Sequence, residues 1–405
     1  MKTNALLAAM MMILCMSCGD NQKEPAVENS NPPGKVTNVT VDNQPGQAEI
    51  TYQLPSDPDL QYVKAVYKLN SGVIREVKAS FYTNSMLLDG FGDTDIHDVE
   101  VFAVNRSGIA SEPEIVRVKP LENPIWDVRR SLVVKDDFSG FNVSAENPAE
   151  HGVAIEIMMK NELGKWENLE GIETKLPTIN QSKRGLDTLS YEISLTVRDR
   201  FLNYTDTLYT TVNPLYEVML DKSKFKDMRL TGDAPIHLST HPMSNMWNGV
   251  YAHTNSNRWL TNPSPDIYAP QVSTIDLGVP VSLSRITIFN WSYGTSTITG
   301  NRMMYGGEHL RYFEIWGMLG YPPNVASFDG WVKLGDFENI KPSGLPHGEE
   351  TQEDFDVAVK GFDYTFPIEY ATKVRYIRLK VIKTWSDTPP LTYGIAEIDV
   401  YGDTR

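Results

Sequence analysis

Beyond Gly34 the chain alternates apolar and polar residues with a period of two. In AEITYQL, Ala48, Ile50, Tyr52 and Leu54 fall on one side and Glu49, Thr51 and Gln53 on the other. YVKAVYKL and DVEVFAVN repeat the pattern, and PSDPD and SGIASEPE around them carry the residues that reverse a chain. Successive side chains of a strand point to opposite faces, so this period predicts half-buried strands. Short strands at regular spacing, without a helical period, predict a β-sandwich over residues 34–120. LENPIWD, Leu121 to Asp127, reads as a boundary. A second all-β unit is expected over residues 121–214, with VAIEIMMK, LGKWENL and LSYEISLTVRDR as strands. In the last of these, Leu189, Tyr191, Ile193, Leu195 and Val197 oppose Ser190, Glu192, Ser194, Thr196 and Arg198. No strict repeat links the two units, so they are expected to be analogous rather than copied.

From about Leu215 tryptophans cluster and Gly, Asn and Tyr rise. VSTIDLG, SRITIFNW, LRYFEIWG, GWVKLGDF, VRYIRLKVI and GIAEIDVYG are candidate strands of one larger sandwich over residues 215–405. MSNMWNG to NRWLTNP reads as an irregular loop leading into them. ETQEDFDVAVKGFDYTFP fits a short helix or a long excursion, and periodicity does not choose between them. The expected fold class is therefore all-β, with three β-sandwich domains in tandem.

The first residues add a different kind of segment. One Lys precedes an apolar run from Ala5 to Met16, followed by Ser17 and Cys18. The run is too short for a stable membrane span and fits the apolar region of a signal peptide over residues 1–17. Cys15 and Cys18 are the only cysteines, so no disulfide is expected within the mature body. Residues 18–33 are polar and Pro-containing and read as a flexible tether; roughly 15 such residues span about 20 Å. The chain holds 52 acidic and 37 basic side chains, a formal net charge of −15, and no basic run, which argues against a nucleic-acid partner.

Four resemblances sharpen this reading. A Cys at the end of an apolar run, followed by GDNQKEPAVENSNPPG, resembles a bacterial lipoprotein signal, which implies lipidation of Cys18 and attachment to a membrane. The Pro-rich start and the EIVRVKP close of the first unit resemble a fibronectin type III domain. WNG, NRW, TIDLG, LRYFEIWG, VRYIRL and IAEIDVYG, in that order, resemble the discoidin, or coagulation factor V/VIII type C, family. This implies a jelly-roll sandwich for the last domain. The whole arrangement resembles Bacteroidetes surface lipoproteins found beside Sus-like glycan-uptake systems. That likeness implies a lipid-anchored protein of the cell envelope, at the outer membrane surface, with outer-membrane glycan-uptake proteins as further partners.

In a discoidin-like domain the ligand surface is expected on loops at one end. KTWSDTPPLTYG joins the last two strands, and sugars stack their C–H faces on aromatic rings while polar groups fix the hydroxyls. Trp385 and Tyr393 are candidate carbohydrate contacts, with Pro389 and Pro390 stiffening the loop. In NWSYGTSTITGNRMMYGGEH, Trp291, Tyr293, Arg302, Tyr305 and His309 are candidates for the same mouth. The opposite expectation for each ring is that it packs the loop onto the core, and Trp259 and Trp316 are expected to be core. The resemblance also implies a structural Ca²⁺ in the early loop, with Glu397 and Asn248 as ligands. Asn248 stands where members carry Asp, which lowers the charge of the shell. Without metal, Glu397 would bond the loop amides itself.

Catalytic signals are weak. HLSTH places His237 and His241 at a spacing that gathers ligands only on a helix, and Pro235 and Pro242 argue against one. No HExxH, GxSxG or P-loop pattern occurs. The reading is a non-catalytic, surface-anchored lipoprotein that binds a glycan through its last domain. The alternatives are a protein-interaction or scaffold lipoprotein and a cryptic glycoside hydrolase.

Overall fold

A computed structural model describes residues 29–251, 257–264, 266, 269–368, 372–386 and 391–405. The signal segment, Cys18, Pro389 and Pro390 lie outside the described residues.

Alternation organises the first strands as expected. They are β1 (Thr37–Gln44), β2 (Gln47–Gln53), β3 (Leu60–Lys68), β4 (Ile74–Ser80), β5 (Ser85–Asp89), β6 (His97–Asn105) and β7 (Glu114–Val118). They form two antiparallel sheets, in the orders β1-β2-β5 and β4-β3-β6-β7. Ala48, Ile50 and Tyr52 of β2 turn inward against Val63, Ala65 and Tyr67 of β3. The LENPIWD boundary holds a short helix that the pattern did not announce, α1 (Ile125–Ser131), which buries only Ile125 and Val128.

Seven strands follow: β8 (Val133–Asp137), β9 (Gly140–Glu146), β10 (Val153–Lys160), β11 (Trp166–Thr174), β12 (Thr178–Arg184), β13 (Tyr191–Asp199) and β14 (Leu208–Val212). Their sheets have the orders β12-β9-β8 and β11-β10-β13-β14. Counted from each first strand, these are the pairings of β1 to β7. The topology repeats although the sequence does not.

By compactness the chain divides into two units. One holds the described residues up to Val134 with Val143–Gln181 and Tyr191–Thr211; the other holds Lys135–Asn142, Ser182–Ser190 and Val212–Arg405. Within the first, Asp199 is buried and its Oδ2 accepts from the side-chain amides of Asn123 (3.1 Å) and Asn203 (2.8 Å). The same two amides donate to the Phe91 and Gly90 carbonyls (3.0 and 3.1 Å). Each buried polar group thus has a partner, without which it would be costly.

The second unit is built on β15 (Val218–Met219), β16 (Lys226–Asp227), β17 (Trp259–Leu260), β18 (Gln271–Phe289), β19 (Leu310–Met318), β20 (Val332–Glu338), α2 (Gln352–Lys360), β21 (Phe362–Thr365), β22 (Lys373–Thr384), β23 (Gly394–Ile395) and β24 (Glu397–Asp403). VSTIDLG and SRITIFNW, expected as two strands, are one strand, β18, of 19 residues. Its first half pairs with β22, its second half with β24 and β21, and a register shift lies between Asp276 and Val281. One strand thereby pairs with different neighbours on either side of the shift, and its Ile275, Leu277, Ile286 and Ile288 share one core with Ile377, Leu379 and Ile398. ETQEDFDVAVK does form a helix. Thr351 accepts from the Asp354 amide at 3.2 Å and Asp354 accepts from the Thr351 amide at 2.8 Å, a reciprocal cap. No helix of the described residues is long and apolar enough to cross a membrane.

Candidate functional site

The loop between β18 and β19, residues 290–309, folds back on itself. Tyr293 and Met303 exchange backbone hydrogen bonds of 2.8 and 2.9 Å. The buried Glu350 carboxylate accepts from the Met304 and Tyr305 amides, both at 2.8 Å, and holds the returning arm. Burial pushes the Glu350 carboxyl up, and these amides offset part of that rise. The following residues are stitched to the last loop: His309, Gly307 and Glu308 carbonyls accept from the Trp385, Ser386 and Gly394 amides at 2.9 Å each.

Two candidate residues stand at the surface of this assembly. Tyr293 is 36% exposed. Its ring lies across the bare backbone of Gly307, where an added Cβ would sit 3.7 Å from it. Beside it, His347 packs on Gly306 so closely that a Cβ there would come within 2.6 Å of the imidazole Nε2. A side chain at Gly306 would therefore displace the His347 ring, whereas a Cβ at Gly307 would meet Tyr293 in ordinary contact. Arg302 is exposed and its guanidinium donates to the Ser292 carbonyl at 3.2 Å.

Trp291 meets Tyr293 edge-on, with ring centres 5.5 Å apart, but is itself buried. The Arg258 guanidinium covers its ring at 3.9 Å. Burial lowers the Arg258 pKa and the nearby Glu308 carboxylate opposes that shift. Glu308 Oε2 is enclosed and has no hydrogen-bond partner among the described residues. A cation stacked on an indole, a carboxylate with one enclosed oxygen and a part-exposed tyrosine ring thus share one small region.

The other candidates are interior. Tyr393 has no exposed surface; its hydroxyl bonds Ser273 and its amide donates to Thr261 Oγ1 at 3.0 Å. Burial raises its pKa above the ordinary tyrosine range. Tyr305 and His309 are also fully enclosed. Desolvation drives the His309 pKa down to about 3, which keeps the ring neutral, and its Nδ1 accepts from the Gly306 amide at 3.1 Å. Trp385 is half-buried. Its Nε1 donates to Asn339 Oδ1 at 3.0 Å, and Arg311 and Lys341 lie 4.8 and 5.6 Å from its ring centre. Tyr305 packs on it edge-on at 5.6 Å. Tyr393, Tyr305, His309 and Trp291 offer no uncovered ring face, whereas Trp385 is held by these partners with part of its ring still solvated. Trp259 is core as expected, and Trp316 is partly buried against Leu230, Trp331 and Tyr376. Arg258, Glu308 and His347 were not foreseen. They come from three separate segments, and only the adjacent glycines of YGGEH hinted at a close approach.

The implied cation ligands are arranged otherwise than a Ca²⁺ shell. Glu397 is fully buried; its Oε1 meets the Lys222 ammonium at 2.5 Å and its Oε2 accepts from the Gly249 amide at 3.0 Å. Asn248 turns its oxygen to the Val250 amide at 3.0 Å, inside its own loop. Calcium takes six to eight oxygens, and an ammonium against the carboxylate repels it. These residues do not fit the ion. Among the described residues no group of three His, Cys, Asp or Glu is placed to share a metal.

Three family models match the chain, each described as a domain of unknown function: DUF4959 over residues 33–120, DUF5126 over 121–223 and DUF5000 over 247–402. A comparison with curated proteins returns no match. Similar solved structures include a SusE-like protein, 28% identical, matched over 69% of this chain and 98% of that one, with a TM-score of 0.45. The CBM32-3 module of a family 31 glycoside hydrolase from Clostridium perfringens is 18% identical over 46% of this chain and 95% of its own, with a TM-score of 0.31. A two-domain fibronectin type III segment of chicken tenascin is 10% identical over 45% and 99%, with a TM-score of 0.21.

Proposed function

We propose that the chain binds a carbohydrate, without transforming it, on the surface formed by Tyr293 and His347 over Gly306 and Gly307. Arg258, Glu308 and Arg302 supply the polar contacts. The observation that carries this reading is the part-exposed Tyr293 ring over the Gly307 backbone, beside the exposed His347 and the half-buried Glu308 carboxylate. A pyranose presents an apolar C–H face and a rim of hydroxyls. The exposed part of the ring meets the first, and the half-buried Glu308 carboxylate and the exposed Arg302 guanidinium meet the second. A glycan array probed with the chain identifies the ligand, and calorimetric titration measures it. Tyr293→Ala and Glu308→Gln are each expected to weaken binding about tenfold, the equivalent of about 1.4 kcal/mol. Unchanged affinity in both variants would exclude this surface.

The same proposal places the protein at the outer membrane surface through a lipid on Cys18. The support is the sequence around that residue. Cys18→Ala is expected to move the protein from the membrane to the soluble fraction; a variant that stays on washed membranes would show another anchor.

A further inference from the structure

Glu397 and Asp399 alternate on the same side of β24, and both are buried. Two neighbouring carboxylates withdrawn from water repel each other, and each loses hydration that something must replace. The Lys222 ammonium bonds to both, to Glu397 at 2.5 Å and to Asp399 more closely. Glu397 Oε2 takes the Gly249 amide, and the Tyr251 hydroxyl reaches both oxygens of Asp399 at 3.2 and 3.3 Å. All four carboxylate oxygens are therefore partnered. Lys222 also lies 5.3 Å from the centre of the Tyr251 ring, which packs edge-on against Phe289 at 4.7 Å.

Lys222 reaches this position from a single 3-10 turn, Lys222–Lys224, whose preceding Asp221 accepts from the Ser223 amide at 3.0 Å. Just before it, β15 pairs with β24, Val218 opposite Gly402 and Met219 opposite Tyr401. The ammonium thus ties three segments distant in sequence: the turn at 222, the loop at 249–251 and the closing strand.

We propose that Lys222 is the cation of this clasp, supplied from within the chain, and that it excludes a divalent metal from the position. A divalent ion and an ammonium cannot share the same two oxygens without severe repulsion at low dielectric. The site is latent: two carboxylates and a phenol remain if the ammonium is removed, and these are oxygen donors of the kind calcium takes.

The test uses the full chain. Thermal unfolding is followed in chelator and in millimolar calcium, and terbium emission sensitised by the nearby tyrosine reports an ion in the clasp. The wild type and Lys222→Arg, which keeps a cation, are expected to melt alike in both buffers and to show only background emission. Lys222→Ala leaves two buried carboxylates unpaired and is expected to melt about 10 °C lower in chelator. Calcium should recover part of that loss, and terbium emission should rise above the wild-type background. Three results would overturn the proposal: a wild-type melt that falls in chelator, equal terbium emission from wild type and Lys222→Ala, or a Lys222→Ala melt equal to wild type. If Lys222→Ala does not fold, indifference of wild type and Lys222→Arg to chelator and terbium still decides it.

Discussion

The Trp385 indole has its N–H bonded to Asn339, a guanidinium and an ammonium against its ring, and the edge of Tyr305 packed on it. A ring engaged on its faces and at its edge serves stability. Trp385→Ala is expected to cost about 3 kcal/mol, at the lower end for emptying an aromatic site because part of the ring is solvated. Calorimetric melting checks this, and an unchanged melt with lost ligand binding would mean that the ring is free after all. Tyr293 is the contrasting residue, since its ring rests on glycine backbone and stays partly exposed. In the sequence the two rings are equivalent, each an aromatic in a polar loop. What separates them are Asn339, Arg311 and Lys341 for one and Gly307 for the other, and distant partners leave no local signal. Glu397 was singled out through the family resemblance as a calcium ligand, with bonding to loop amides as the metal-free alternative, and the Gly249 amide is one of its partners. Its partner Lys222 was not singled out, since 175 residues separate them.

Strand β18 shows how far alternation reaches. The pattern breaks at Gly278 and Pro280, so the sequence implies two strands, whereas the chain crosses the break as a bulge and keeps pairing with β22 on both sides. Gly278 makes the crossing with φ of +79°, a left-handed conformation, and a Cβ there would stand 2.7 Å from the Lys224 carbonyl oxygen. Gly278→Ala is therefore expected to destabilise the protein by more than about 1 kcal/mol, from backbone strain and steric contact together. Denaturant unfolding measures the loss; a midpoint equal to wild type would show that the bulge tolerates a side chain. Short helices fare differently. Helix α1 buries two residues, too few to display a 3.6-residue period. Helix α2 carried a readable start signal in Thr351 and Asp354, but its mostly polar body left the choice open.

At the scale of the whole chain, the all-β class was legible because half-buried antiparallel strands write a period of two into the sequence. The repeated strand order of β1 to β7 and β8 to β14 was not, because topology depends on which strands pair and not on which residues they contain. The surface around Tyr293 was legible only as a loop rich in aromatics. Its polar rim gathers Arg258, Glu308 and His347 from three stretches of the chain, which only folding brings together. Loss of binding out of proportion to any loss of stability is the property that distinguishes a ligand surface from a packed loop. The deciding measurement is calorimetric titration of wild type and Tyr293→Ala with the best glycan found on the array, with the melting temperature of each recorded alongside. The account predicts affinity about tenfold weaker in the variant, with a stability loss smaller than the ~3 kcal/mol expected for Trp385→Ala. Equal affinity in the two proteins would contradict it.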